Sequence, residues 1–204
     1  MDRKKTSITS VTLGVNAEAL AKFTTLLQGG FLLDVPQKTS IGELLVSLPG
    51  FSKDYIAQRV QTIFLGGLPA DDLDQQLLGI DAVLAISAAM PGLAGAIFRK
   101  NGVHASLRTS AGKVPLKSPE TNGPVKIRLK LFNMIAVEKG EGILNSGCII
   151  PASSLQKFLT YRNTLSSQIR EREINGKDCS LQELLSLLEQ EDTIKLTVRG
   201  NHDS

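Results

Sequence analysis

The dipeptide Asn101-Gly102 is the strongest local constraint in this sequence. A type I′ turn needs positive φ at both of its central positions, and Asn followed by Gly meets that requirement best. The flanking residues are therefore predicted to pair as a β-hairpin over residues 96–107. One face of this hairpin is mostly apolar and would dock on a domain. The opposite face carries Arg99 and His104, with Arg108 just beyond, so these side chains would face solvent or a ligand.

Composition is that of a globular protein with one large or two small domains, because 42% of the 204 residues are hydrophobic and 21% are charged. The net charge of +3 is too small to indicate nucleic acid by itself, so a nucleic-acid partner is disfavoured. No apolar segment resembles a signal peptide or a membrane span, and we expect a cytoplasmic protein with no membrane association. Cys148 and Cys179 form no CxxC pair, which favours free thiols.

The first part of the chain alternates strand patterns with helix patterns. Ser40 and Glu43 have the spacing of a capping box and predict the start of a helix. Gly66-Gly67 is a turn signal between two apolar segments. The predicted elements are a strand at 11–16, a helix at 17–28, a strand at 31–35, a helix from 41, a helical piece at 53–59, and strands at 62–65 and 82–87.

The second part begins with a strictly alternating strand over residues 125–130, which places Lys126, Arg128 and Lys130 on one face. Residues 109–124 are rich in Ser, Thr, Gly and Pro and predict an interdomain linker. We therefore expect a first domain over 1–108, which includes the hairpin, and a second domain over 125–204. Further predicted elements are a helix at 132–137, a strand at 148–150, a helix from 153 toward 170, a turn at 174–176, a helix at 181–188 and a strand at 194–198.

The first domain resembles the ubiquitin-like sulfur carriers, namely the small subunit of molybdopterin synthase and the thiamine-pathway carrier. The resemblance covers residues 7–95 and lies in FLLDVPQKTSIGELLVSL and IFLGGLPADDLDQQLLGIDAVLAISAAMPGLAG. The family's motif positions are occupied here by four short runs: Thr39-Ser40-Ile41, Gly66-Gly67, Ile80-Asp81-Ala82-Val83 and Pro91-Gly92. The resemblance implies a β-grasp fold. Sulfur carriers act through a free C-terminal Gly-Gly, whereas this chain continues past Gly92 and Gly95 into the hairpin.

The second domain repeats the order of the first, which indicates an internal duplication. Val35-Pro36 aligns with Ile150-Pro151, and Gly66-Gly67 aligns with Asn175-Gly176. The predicted fold class is thus α+β, with tandem β-grasp domains and an added β-hairpin. The alternative is one α/β domain followed by an unrelated α+β piece.

The candidate site consists of glycines 92 and 95 together with Arg99, His104 and Arg108. Glycine lets a backbone approach a ligand closely, and these cations could hold a phosphate or carboxylate. The cations of residues 126–130 would extend this positive strip if the second domain folded back onto it. The alternative interpretation is a solvated basic strand edge, which guards against aggregation.

No catalytic or metal-binding motif is present, and no cofactor is implied. We therefore predict a non-catalytic binding protein, related to sulfur carriers, that binds a protein partner or an anionic ligand near the hairpin. One alternative is a sulfur carrier for molybdopterin or thiamine biosynthesis that is activated by cleavage near Gly95. A weaker alternative is an RNA-binding β-grasp module.

Overall fold

A computed structural model of the chain describes residues 8–78, 82–88, 92–99, 102 and 123–200. These residues form a mixed structure of helices and strands, which confirms the predicted α+β class. They divide into two compact units: unit 1 contains residues 1–26 and 143–204, and unit 2 contains residues 27–142. The linker predicted over residues 109–124 lies, except for its last two residues, outside the described residues.

The described elements follow one another in an order that recurs. Residues 10–98 form β1 (Ser10–Val15), α1 (Ala17–Phe23), a 3-10 turn (Thr24–Gln28), β2 (Phe31–Val35), α2 (Ile41–Ser47), α3 (Lys53–Arg59), β3 (Thr62–Leu65), β4 (Leu68–Pro69), β5 (Ala82–Ser87) and α4 (Gly92–Phe98). Residues 125–200 form β6 (Val125–Phe132), α5 (Asn133–Ser146), β7 (Cys148–Pro151), α6 (Ala152–Tyr161), α7 (Asn163–Ser166), β8 (Ile169–Ile174), β9 (Lys177–Asp178), α8 (Leu181–Gln190) and β10 (Thr193–Gly200). From β1 to β5 and from β6 to β10 the order is the same, except that α8 is inserted before the last strand.

Local sequence signals account for many of these boundaries. The hydroxyl of Ser40 accepts a hydrogen bond from the N–H of Glu43, whose carboxylate in turn accepts from the N–H of Ser40, and this capping box starts α2 as predicted. The turn between β3 and β4 has positive φ at both Gly66 and Gly67. Asn175 and Gly176 adopt the same left-handed conformation between β8 and β9, as a tight hairpin turn requires.

The sheet of unit 2 has the strand order β4-β3-β5-β6-β2. Its two central strands, β5 and β6, are parallel, whereas β2 and β3 pair with them in antiparallel orientation. One face of β6 is fully apolar, because Val125, Ile127, Leu129 and Leu131 are each at most 3% exposed. The neighbouring strands add Leu84 and Ile86 of β5 and Ile63 and Leu65 of β3 to this core.

The sheet of unit 1 has the order β7-β10-β1-β8-β9, and its central strands β10 and β1 are also parallel. Its core face is built from Val11, Leu13 and Val15 of β1 and from the alternating Ile194, Leu196 and Val198 of β10. Helices α1 and α6 meet in this core, where the rings of Phe23 and Phe158 lie 4.8 Å apart.

Two sequence predictions are wrong. The first arm of the predicted hairpin, residues 96–98, is the last turn of helix α4. The turn signal at Asn101-Gly102 is local, whereas the apolar run before it forms a helix whose Phe98 packs on Phe64 at a ring distance of 5.3 Å. Lys100, Asn101 and residues 103–107 lie outside the described residues. The helix predicted to run toward residue 170 ends at Tyr161, and Ile169–Ile174 pairs with β1 as a strand.

Candidate anion-binding surface

The second face of β6 carries three cations, and we call Lys126, Arg128 and Lys130 the basic face. The strict alternation predicted for this segment is confirmed, because their neighbours along the strand are buried. Alternate residues of a strand lie about 6.6 to 6.8 Å apart. The basic face is therefore a row of evenly spaced positive charges along a central strand of the unit 2 sheet.

Gly30 explains how two of these long side chains are held. It adopts a φ of +95° just before β2, a conformation that side chains other than glycine rarely tolerate. A Cβ atom at this position would lie 2.8 Å from Cγ of Arg128 and 3.0 Å from Cγ of Lys130. The aliphatic stems of both cations therefore cross the backbone at Gly30, and both residues are only half-exposed. No short-range sequence signal indicates this contact, because about a hundred residues separate the partners along the chain.

One carboxylate is a strand neighbour of these cations in the described part of the unit 2 sheet. Asp34 of β2 is the register partner of Lys126 and is the sole acidic residue at a strand position on this side of the described sheet. In the part of the chain that the structure describes, none of the three cations of the basic face makes an ion pair. The surface thus has an excess of positive charge that an anion could neutralise.

Helix α4 lies on the same side of this sheet. One row of register partners crosses β6, β5 and β3 and consists of Lys130, Ala85 and Phe64. Phe98 of α4 packs on Phe64. Neighbouring strands are about 4.8 Å apart, so the contact with α4 lies roughly 10 Å from the backbone of Lys130. The structure therefore brings α4, with part of the predicted site, onto the sheet face that carries the cations.

The predicted site residues have different positions in α4. Gly92 starts the helix, is exposed, and has a φ of +73° with open space around it. Gly95 is buried, and its carbonyl oxygen accepts a hydrogen bond from the N–H of Arg99 at 3.1 Å. Arg99 is exposed. His104 and Arg108 lie outside the described residues.

A buried polar cluster lies where β5 and β6 end. Thr62 and Ser87 are register partners and are only 2% and 6% exposed. The Oγ atom of Ser87 accepts a hydrogen bond of 2.8 Å from Nδ2 of Asn133. The Oγ1 atom of Thr62 is buried and has no hydrogen-bond partner among the described atoms, an arrangement that costs about 1–3 kcal/mol. No sequence signal predicted this cluster, because Thr and Ser at strand ends usually face water.

A second polar cluster joins α3 to α5 in unit 2. Tyr55 donates a 2.7 Å hydrogen bond from its hydroxyl to Glu138, and Arg59 forms an ion pair with the same carboxylate. These two partners, Arg59 foremost, lower the pKa of Glu138. Burial, together with the hydrogen bond to the carboxylate, raises the pKa of Tyr55. Lys139 lies 3.9 Å from the centre of the tyrosine ring. The charges here are mutually satisfied, so this cluster serves the packing of two helices.

The two cysteines are free thiols, in agreement with the prediction. Cys148 is buried, and burial raises its pKa to about 12. Cys179 is half-buried, and burial also raises its pKa, with the charge of Glu183 adding to the effect. Neither thiol is therefore activated as a nucleophile at neutral pH.

Unit 1 contains a groove of about 320 Å³ between α6, α7 and α8. It is lined by Leu159, Thr160, Ser166, Leu181 and Leu185, so only two hydroxyls could orient a ligand. Across the residues that the structure describes, no three His, Cys, Asp or Glu side chains converge in a way that could hold a metal ion. None of the described helices is both long and apolar enough to span a membrane.

The basic face is the arrangement with the clearest chemical consequence. Its three cations follow one another along one strand, pack near a helix and a glycine, and have no ion-pair partner among the residues that the structure describes. Comparisons of the chain with protein-family models, with curated proteins and with solved structures found no match.

Proposed function

We propose that this chain is a non-catalytic binding protein built from two diverged β-grasp units, and that the basic face of unit 2 binds an anionic ligand. The observation that carries the proposal is the row of three cations on β6, which make no ion pair with any residue that the structure describes. Charge-assisted hydrogen bonds from lysine and arginine to phosphate or carboxylate oxygens would hold the ligand.

The recurring element order and the parallel central strands support the β-grasp interpretation. A further similarity links the two units. Gly147 precedes β7 with a φ of +83°, and a Cβ atom there would lie 2.9 Å from Cε of Lys195 on the paired strand β10. Gly30 likewise precedes β2, and a Cβ atom there would lie against the stems of Arg128 and Lys130 on the paired strand β6. A duplicated module explains why a left-handed glycine lies under a basic side chain in both units.

Binding of inorganic tripolyphosphate at low ionic strength, followed by calorimetry, tests the proposal. The double change Arg128→Gln and Lys130→Gln is expected to weaken binding at least about tenfold, since each lost charge-assisted contact is worth about 1.5–3 kcal/mol. Lys195→Gln is the matched control, because its stem also crosses a glycine but its strand belongs to unit 1. Equal losses in the two variants would refute the proposal.

The sulfur-carrier alternative requires a new C-terminus at Gly92 or Gly95. Gly95 is buried within α4, so a protease could reach its peptide bonds only after that helix opens. We therefore rank the carrier role second. Intact-mass measurement on protein from its native cells tests it directly, because a species that ends at one of these glycines would favour the carrier over the binding protein.

A further inference from the structure

We infer that the ligand of the basic face is a single-stranded nucleic acid; this inference rests on the function proposed above. Lys126, Arg128 and Lys130 repeat at about 6.6 to 6.8 Å along one strand. The next position on the same face is Phe132, which is half-buried. The face therefore presents a line of three cations that ends in an aromatic ring.

The spacing of the cations selects a ligand class. Two residues of an extended polypeptide contain the same number of backbone bonds as one nucleotide of an extended nucleic acid strand. Successive phosphates of such a strand can therefore meet successive cations of β6. A compact anion can reach only one or two of these cations. Inorganic polyphosphate matches the row less well, because a single oxygen joins its phosphorus atoms and its charges lie closer together.

Phe132 supports the same ligand class. Rows of cations next to aromatic side chains are typical of proteins that bind single strands, because every base can stack on a ring. The net charge of +3 alone argued against nucleic acid. The distribution of charge matters more than the total, because three of the cations lie on one face of a single strand and have no ion-pair partner in the described chain.

Fluorescence anisotropy with a short labelled oligouridylate, measured over a series of salt concentrations, tests the inference on the full chain. Neutralisation of three phosphates predicts that log K falls against log salt with a slope of about −2, since each phosphate contributes about −0.7. Each single change to glutamine at Lys126, Arg128 or Lys130 is expected to make the slope shallower by about 0.7. Phe132→Leu is expected to lower the affinity several-fold without a change in slope.

The control variant Lys195→Gln is expected to leave both the affinity and the slope unchanged. Circular dichroism checks that each variant is folded, and Lys126 is exposed, so its replacement leaves the core intact. Oligouridylate binding with a slope that none of the β6 changes affects would overturn the inference. If tripolyphosphate binds through Arg128 and Lys130 while the oligonucleotide does not bind, the inference fails but the proposed function stands. If neither probe binds, both fail.

Discussion

Replacement of Gly30 by alanine is expected to destabilise unit 2 and to displace the basic face. At a φ of +95° an alanine is strained by about 1–2 kcal/mol. Its Cβ would also lie 2.8 Å from Cγ of Arg128, and overpacking of this kind typically costs about 1–3 kcal/mol. The free energy of unfolding is therefore expected to fall by about 2–5 kcal/mol.

Gly67→Ala is the matched control for the conformational part of this cost. Gly67 also belongs to unit 2 and has a φ of +83°, but a Cβ atom there would meet nothing within 4 Å. Its replacement is expected to cost about 1–2 kcal/mol, from backbone strain alone. Urea unfolding followed by circular dichroism measures both variants, and tripolyphosphate binding is expected to weaken only in Gly30→Ala.

The double variant Gly30→Ala with Arg128→Ala separates the cost of the contact between the new Cβ atom and the Arg128 stem from the cost of backbone strain at residue 30. Removal of the arginine stem is expected to restore part of the lost stability, so that the two changes are not additive. If Gly30→Ala and Gly67→Ala cost the same, or if the double variant shows simple additivity, the stems of the basic face do not rest on Gly30 and the reasoning is refuted.

Three other predictions concern the polar groups. Thr62→Val removes a buried hydroxyl that has no partner among the described atoms, so in urea unfolding it is expected to leave the free energy of unfolding unchanged or to raise it by about 1 kcal/mol. Ser87→Ala removes a hydrogen bond and is expected to lower the free energy of unfolding by about 1 kcal/mol. A clear loss in Thr62→Val would contradict this. Glu138→Gln is expected to lower the urea midpoint near pH 7, because it removes the ion pair with Arg59 that lowers the pKa of this carboxyl. The difference in midpoint between the variant and the unaltered chain should disappear as the pH falls below about 4, the ordinary pKa range of a glutamate, because Glu138 then becomes protonated. In a thiol titration at pH 8, Cys179 is expected to react before Cys148, and equal rates would show that Cys148 is not buried.

Periodicity and turn chemistry were sufficient to predict most of the elements. The capping box at Ser40, the turns at Gly66-Gly67 and Asn175-Gly176, and the alternation along residues 125–130 all depend on interactions within a few residues. For the same reason these signals gave no information on how strands pair. The parallel pairing of β5 with β6, and of β1 with β10, depends on contacts between residues that are far apart in the chain.

The candidate site was predicted only in part. The two glycines were selected as neighbours of a hairpin and Arg99 as part of it, but the structure places the glycines in a helix and Arg99 directly after its end. The cations of β6 were recognised as the polar side of a strand, yet their relation to α4 depends on the row that links Lys130 to Phe64 across three strands. Gly30 was not selected as part of the site, because its contact with Arg128 is visible only in three dimensions.

The placement of β6 determines where the basic face can form. This strand starts the second half of the chain, yet it lies inside the sheet of unit 2, next to β5 of the first half. Strand β1 of the first half likewise lies inside the sheet of unit 1, next to β10. Parallel neighbours need a long connection, and the segment between β5 and β6 provides one within a single unit. The basic face therefore exists only when the second half of the chain contributes its first strand to a sheet that is otherwise built from the first half.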